Sequence, residues 1–362
     1  MRAFPEGDGV PVSSARDSAP TTIRGPEGAF PRILIIRLKS MGDVVLTLPA
    51  VNAVRENFPS AKITFLTSKE NAPLLRGCRE VDEVMAIDRD ALRSGNPVKM
   101  AGEFFGLLKR LRAGKFALVV DFQGYGETAW LSWFTGAPQR WGSVYSQGRA
   151  WAYTVGVRRQ ATQHHAERNL AILQAGGLNI ARIRNKFALP AEAQEQARAF
   201  FRQNSLNSAR PTLFIQPFTS SPQKNWPLEN YLAVAGTWRS RGWQIIFGGG
   251  PDDRARLASA LAGQFCTSAG VPLLVTGGLL QLSALVLGGD TGAMHLAVAL
   301  GRRVVMIMES SAPGHAFPFQ HPEWAVTPPP GNTIVAIQTD AVVKACELAL
   351  AEKSVSGVCE FP

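Results

Sequence analysis

From Arg32 onward, short and wholly apolar runs alternate with longer stretches in which apolar residues recur at helical spacing. Ile33-Leu34-Ile35-Ile36 is β-branched, uncharged and only four residues long, which predicts a strand buried on both faces, as in a parallel sheet. A glycine-bearing loop from Lys39 to Asp43 follows, then a helical stretch to about Phe58-Pro59. Lys62 to Thr67, Val84 to Ile87 and Ala117 to Asp121 read as further strands, with a helix around Phe104 to Leu111. The pattern loosens between Trp141 and Lys186, where a helix is expected over His165 to Ala175. A polar helix over 191–203 and a linker from Asn204 to Arg210 come next.

The alternation then restarts. Thr212 to Ile215, Gln244 to Phe247 and Arg303 to Met308 predict strands. Helices are predicted over Pro227 to Arg239, with proline at the start, Asp252 to Leu261, Leu279 to Leu287, Met294 to Leu300 and Asp340 to Ala351. Strand and helix alternating at this spacing predict an α/β protein of two Rossmann-like, doubly wound domains. The expected division is an extension over 1–30, a first domain over 31–205 and a second over 206–362, the last helix being free to pack back on the first domain. Ligands of such sheets bind at the carboxyl ends of the strands, here expected in a cleft between the domains.

Composition narrows the class. At 362 residues the chain is long enough for two cores, and 46% hydrophobic with 18% charged residues is a globular balance. Residues 1–30 mix Pro, Gly, Ser and charge without an apolar core, so they read as a disordered extension and not as a secretory signal. Cys78, Cys266, Cys346 and Cys359 are scattered with no CxxC pair, which argues against zinc and against a disulfide framework and favours a reducing, cytoplasmic compartment. No run of about eighteen apolar residues escapes charges or paired glycines, so no transmembrane segment is expected. The net charge of +10 suits an anionic partner such as a nucleotide or an acidic membrane surface, or simply a solvated surface. It is not gathered into a Lys/Arg tract and no RNA-binding signature accompanies it, so nucleic acid is not expected.

Three loops carry candidate chemistry. Lys39-Ser40-Met41-Gly42-Asp43 follows the first strand and puts a carboxylate at the mouth of the sheet. Asp43 there is either the N-cap of the next helix or a base that accepts the proton of a sugar hydroxyl. Pro49 either opens a helix capped by Thr47 or kinks a longer helix begun near Asp43. Pro217 to Pro227 holds Thr219, Ser220 and Lys224 ahead of a helix N-terminus, donors that suit phosphate oxygens or an ordinary polar loop. Gly288-Gly289-Asp290-Thr291-Gly292 before a helix can form an anion-binding nest. His295 lies one turn beyond Thr291, and Asp290 reads equally as a cap. Gly248-Gly249-Gly250 with Asp252 and Asp253 is a loop whose acid can bond a ribose hydroxyl, but it lacks the GxGxxG spacing of hydride-transfer enzymes. Asp88-Arg89-Asp90 has the DxD form of a metal site and reads better as a solvated turn. P-loop, GxSxG and HExxH motifs are absent.

Ser40-Met41-Gly42-Asp43 with Leu46-Thr47-Leu48-Pro49-Ala50, then Lys224-Asn225-Trp226-Pro227, then Asp290-Thr291-Gly292 with His295 and Ala297, resemble glycosyltransferase family 9, the ADP-heptose:lipopolysaccharide heptosyltransferases. Asp121-Phe122-Gln123-Gly124 and His165-Ala166-Glu167-Arg168 add softer matches. The resemblance runs from about Arg32 to the last helix and implies a GT-B fold with the acceptor held mainly by the first domain and the donor mainly by the second. It implies Asp43 as general base in an inverting transfer, with Thr219, Ser220 and Lys224 on the donor diphosphate and Asp290, Thr291 and Gly292 lining the same site. Ser40, Met41, Gly42, Asp252 and His295 are further candidate substrate contacts. No metal or tightly bound cofactor is implied, only a nucleotide-sugar co-substrate, with ADP-heptose as the expected donor. The implied acceptor is a lipid-linked glycan at the inner membrane face. Met308-Glu309-Ser310-Ser311-Ala312-Pro313-Gly314-His315 departs from the family's usual Phe-Gly-Pro-Thr-like segment. Competing expectations are a GT-B transferase or epimerase for another nucleotide sugar, and a non-catalytic nucleotide-sugar binding module.

Overall fold

The computed structural model describes residues 23, 30–93, 95–262, 264–310, 312, 314–351 and 358–360. The expectation for residues 1–30 therefore falls almost wholly outside the described residues, as does part of the atypical 308–315 segment. Strands β1 (Arg32–Ile36), β2 (Lys62–Ser68), β3 (Glu83–Ile87), β4 (Leu118–Asp121), β5 (Gln139–Val144) and β6 (Val155–Arg158) form one sheet in the order 3-2-1-4-5-6, every pairing parallel. Its connections carry helices α1 (Met41–Val45), α2 (Leu48–Asn57), α3 (Ala72–Arg76), α4 (Arg89–Arg93), α5 (Pro97–Ala113) and α6 (Gly126–Phe134), with α7 (His165–Ala175) after the last strand. Strand β7 (Arg182–Arg184) lies apart from this sheet.

The chain divides by contacts into two units, Met1–Arg184 with Cys359–Pro362, and Asn185–Val358. In the second unit α8 (Ala191–Gln203) precedes strands β8 (Thr212–Gln216), β9 (Gln244–Phe247), β10 (Cys266–Thr267), β11 (Leu285–Gly289), β12 (Val304–Ile307) and β13 (Ala325–Val326). These repeat the same parallel order, 10-9-8-11-12-13. Helices α9 (Leu228–Ser240), α10 (Arg254–Leu261), α11 (Leu273–Leu282), α12 (Gly292–Ala299) and α13 (Thr339–Ala351) accompany them, and β14 (Val358–Glu360) pairs with β7. Two sheets of Rossmann order are the GT-B class of α/β protein.

Burial explains why these segments became strands. Ile33 to Ile36 are wholly buried, because β1 is the middle strand of a sheet with helices on its faces. Each such side chain contributes on the order of 1.5–3 kcal/mol through removal from water. Leu107 and Leu111 on the inner stripe of α5 join Leu34, Ile36, Val119 and Phe116 in one cluster. Asn96 starts α5 by accepting from the amides of Val98 and Lys99, and Pro97 occupies the first turn, where its missing N–H costs nothing.

Three expectations are revised. The run Leu279 to Leu287, expected as one helix, is the end of α11 and then β11 at the centre of the second sheet. Ala284 to Leu287 is apolar at every position, a pattern that suits a buried strand as well as a buried helix. The loosened region holds β5 and β6. Gly142 on β5 faces Tyr153, whose ring would lie 2.2 Å from any added Cβ, so the glycine that blurred the pattern is what admits the ring. Helix α8 belongs with the second unit, ahead of the expected boundary after residue 205. Ala197 and Ala193 pack so closely on Gly278 of α11 that a Cβ there would meet Ala197 Cβ at 2.5 Å, and the Phe187 amide donates to Ala299 O. Helix α13 packs on α9, β11 and β12 of its own unit.

Candidate active site

In the first unit Ser40, not Asp43, is the N-cap of α1. Asp43 sits at the third helical position and closes a capping box. Its Oδ2 accepts from the Ser40 amide at 3.1 Å and the Ser40 hydroxyl at 3.2 Å. Its Oδ1 is held by Arg37 Nη2 at 2.7 Å and His165 Nδ1 at 3.0 Å. One carboxylate thus caps the helix with one oxygen and meets two basic groups with the other. The two readings of this residue coexist. Pro49 follows the first of its two alternatives, in the opening turn of α2 with Thr47 as cap.

Sequence reasoning missed Arg37 altogether, although a lone arginine at the end of an apolar strand was the available signal. Its backbone amide donates to Leu66 O and its Nη1 to Phe122 O, so the strand end and the β4 loop fix the guanidinium. His165 begins α7, capped by His164, whose Nδ1 accepts from the Ala166 amide. Asn169, one turn on, ties α7 to the end of α1 through Leu46 O. Burial pushes the Asp43 carboxyl up, but the bonds from His165 and Arg37 outweigh it and hold it well below the usual carboxylate range. Asp43 is therefore ionised at any working pH.

The Asp121-Phe122-Gln123-Gly124 segment supplies scaffolding. Wholly buried Asp121 accepts from the amides of Gln123 and Gly124 and from the Tyr153 hydroxyl at 2.7 Å, while Gln123 Oε1 accepts from the amides of Leu38 and Lys39. Gly124 has φ +69°, and a Cβ there would lie 2.3 Å from Ser143 O. A small cavity of about 20 Å³, lined by Arg37, Tyr145, Arg159, His165 and Arg168, adjoins this group. Burial and the charge of Arg159 lower the Arg168 guanidinium to about 10. Ser40 is exposed, and Met41 and Gly42 are half-buried beside Asp43.

In the second unit the loop after β8 and the loop after β11 meet. Lys224 Nζ lies 3.1 Å from Asp290 Oδ2, and Asp290 Oδ1 lies 3.3 Å from His295 Nε2. Burial raises the Asp290 carboxyl, but His295 and then Lys224 prevail and hold it at about 2. The approach depends on two glycines: a Cβ on Gly289 would meet Thr219 Cγ2 at 2.6 Å, and one on Gly288 would meet Gln216 O at 2.6 Å. Thr219 organises its own turn, its amide donating to Asn225 Oδ1 and its hydroxyl to Ser221 O, while Ser220 is exposed. Trp226, buried and donating to Ile337 O, anchors the loop's far end. Thr291 caps α12, with Gly292 opening it. The buried Thr291 hydroxyl and His295 Nδ1 have no hydrogen-bond partner among the described residues. His295, buried inside α12, orients Asp290.

Two candidates stand apart. Asp252 is exposed in the 3-10 turn Pro251–Asp253, where Asp253 is the residue that accepts from the Gly250 amide. Asp88 accepts from the Ala91 amide and pairs with Lys69, so the DxD segment is a helix start. Among the described residues no three His, Cys, Asp or Glu side chains gather as a metal site.

Each unit thus carries one charged cluster on the loops of its sheet: Asp43 with Arg37 and His165 in the first, Lys224 with Asp290 and His295 in the second. Residues 104–330 match the sequence profile of Glycosyltransferase family 9 (heptosyltransferase), and the chain belongs to that family. It is 24% identical over 288 residues to lipopolysaccharide heptosyltransferase 3 of Escherichia coli, covering 76% of this chain and 82% of that one. Its fold is similar to that of a glycosyl transferase family 9 protein from Veillonella parvula, with a TM-score of 0.77 at 20% identity, covering 90% of this chain and 98% of the other. It is similar also to E. coli ADP-heptose lps heptosyltransferase II, with a TM-score of 0.73 at 21% identity, covering 88% and 98%.

Proposed function

We propose that this glycosyltransferase moves a heptose-type sugar from ADP-heptose onto a hydroxyl of a lipopolysaccharide-core or related envelope glycan, with inversion at the anomeric carbon. The observation that carries this reading is the Lys224–Asp290–His295 arrangement beside Thr291, whose buried hydroxyl has no hydrogen-bond partner among the described residues, in a family whose relatives bear heptosyltransferase names. Lys224, Thr219 and Ser220 grip the diphosphate, with Thr291, Gly292 and the N-terminus of α12 beside them. To exposed Asp252, on the turn that follows β9, we assign a bond to a ribose hydroxyl of the donor.

Asp43 accepts the proton of the acceptor hydroxyl as that oxygen bonds to the anomeric carbon. The bond from that carbon to the diphosphate oxygen breaks on the opposite face, and Lys224 offsets the charge of the departing diphosphate. A carboxylate held so acidic by Arg37 and His165 is a weak base at rest. It serves because the hydroxyl becomes strongly acidic only once it is bonding to the sugar, so proton transfer falls late. Ser40, Met41 and Gly42 shape the acceptor side of the same loop. The cationic lining of Arg37, Arg159 and Arg168 suits an anionic acceptor. Such an acceptor is lipid-linked at the inner face of the cytoplasmic membrane, and the enzyme works there as a peripheral protein.

The test is incubation with ADP-heptose, and in parallel with UDP- and GDP-sugars, together with deacylated lipopolysaccharide core. Mass spectrometry is expected to show one heptose gained per acceptor and one ADP released. Transfer from a UDP- or GDP-sugar with none from ADP-heptose would sink the assignment.

A further inference from the structure

We propose that the outward faces of α5 and α6, together with Trp151, form a surface by which the first unit docks on an anionic lipid bilayer. Soluble folds seldom leave large apolar side chains in a contiguous exposed group. Here Val98 is 79% exposed, Phe105 66%, Trp151 55% and Trp133 49%. Two aromatic groups lie among them: Phe105 to Phe104 at 5.8 Å between ring centroids, Phe104 to Trp130 at 5.9 Å and Trp130 to Phe134 at 5.1 Å form one, and Trp133 to Trp151 at 5.8 Å the other. Trp130, Trp133 and Phe134 lie three and four residues apart on α6 and so share one side of it, Trp130 packing partly on the core and Trp133 standing exposed.

Helical geometry sorts α5 into two stripes. Leu107 and Leu111 face the core, and the opposite side carries Val98, Gly102, Phe105, Lys109 and Arg112 at spacings of three or four. That outer stripe is apolar in its first half and cationic in its second. Lys99, Lys109, Arg110, Arg112 and Arg149 stand in or beside the patch against two carboxylates, Glu103 and Glu127, and Glu103 is taken up by the Asp88 amide and lies 3.9 Å from Arg110. Aromatic rings mixed with cations whose stems run along apolar surface match the boundary between acyl chains and acidic headgroups. No helix among the described residues is long and apolar enough to cross a membrane, so the patch lies on a bilayer and does not span it.

The placement serves the reaction. Helix α5 returns from the carboxyl end of β3 to the amino end of β4, so its apolar start lies at the carboxyl edge of the sheet. The Asp43 loop leaves β1 at that same edge. A lipid whose headgroup is the acceptor would therefore present that headgroup on the side of the unit where Asp43 stands. The inference rests on the lipid-linked acceptor proposed above, but sedimentation is read without any transfer reaction.

The full chain is spun with vesicles of phosphatidylglycerol and phosphatidylethanolamine, and with vesicles of phosphatidylcholine alone. At least tenfold stronger partitioning to the anionic vesicles is expected, since each cation near the surface contributes roughly fivefold. Raising the salt should weaken it. Phe105→Glu with Trp133→Glu should lose tenfold or more in partitioning at an unchanged melting temperature, while ADP release with a deacylated acceptor persists. If that pair does not fold, Lys99→Glu with Lys109→Glu reads the same surface. Equal binding to both vesicle types, a folded variant that sediments like the parent, or a solution dimer that these substitutions dissolve and vesicles leave intact would each overturn the docking surface. A parent chain that binds vesicles yet transfers no heptose would instead remove the sugar-transfer reading.

Discussion

Replacing Asp43 with asparagine separates chemistry from architecture. The carboxylate accepts from four donors at once: the Ser40 amide, the Ser40 hydroxyl, Arg37 and His165. An amide of the same shape has one oxygen, so either orientation turns an NH2 group on two of these donors. If nitrogen faces Arg37, a guanidinium only 11% exposed loses its charge partner. Breaking a fully buried ion pair costs roughly 3–5 kcal/mol. Asp43 is 23% exposed, so solvent screening reduces this to about 1–3 kcal/mol, which a domain of this size survives. Loss of a general base costs turnover roughly 10²–10⁴-fold. The assay is initial-rate ADP release at saturating donor and acceptor, with donor affinity by calorimetry and a thermal melt on the same sample. Donor binding should stay within about threefold, because the groups proposed to hold the donor lie in the other unit. A folded variant that turns over within about threefold of the parent would refute the assignment of Asp43 as base.

Lys224→Ala should leave stability within about 1 kcal/mol, because the lysine is 46% exposed, yet weaken ADP binding by roughly 10–100-fold, read by calorimetry. Gly288→Ala should destabilise by about 1–3 kcal/mol in denaturant melts, since its Cβ would meet Gln216 O at 2.6 Å and Met294 Sδ at 2.8 Å. Asp290 has a folded-state carboxyl held at about 2 against an ordinary 3.8, so the stability it confers is complete above pH 4 and is lost as pH falls through 2. The gap in unfolding free energy between the parent and Asp290→Asn should accordingly close by about 2 kcal/mol between pH 5 and pH 2, and a gap that widens on acidification would contradict that coupling.

What could be read from the chain alone was local. Ile33 to Ile36 and Leu213 to Ile215 are apolar at every position and bounded by polar residues, so period and length identify them as strands without reference to anything distant. The same holds for the loops at Asp43, Lys224 and Asp290, which follow strands or precede helices and carry the residue types that phosphate and proton transfer require. Locality also set the failures. Ala284 to Leu287 fits a buried helix and a buried strand equally, and only pairing with β8 and β12 on either side resolves it. Residues 191–203 look like a free polar helix until Ala193 and Ala197 are seen against Gly278.

The environment of Asp43 belongs wholly to the tertiary structure. Arg37 and His165 are 128 residues apart in the chain, yet both reach one carboxylate oxygen, because β1 lies central in its sheet and α7 packs on α2. Lys224 and Asp290 are likewise joined only because β8 and β11 are neighbours. Hydrophobic periodicity is written residue by residue along the chain. The charge surrounding a buried group is a sum over neighbours in space, and packing alone chooses them.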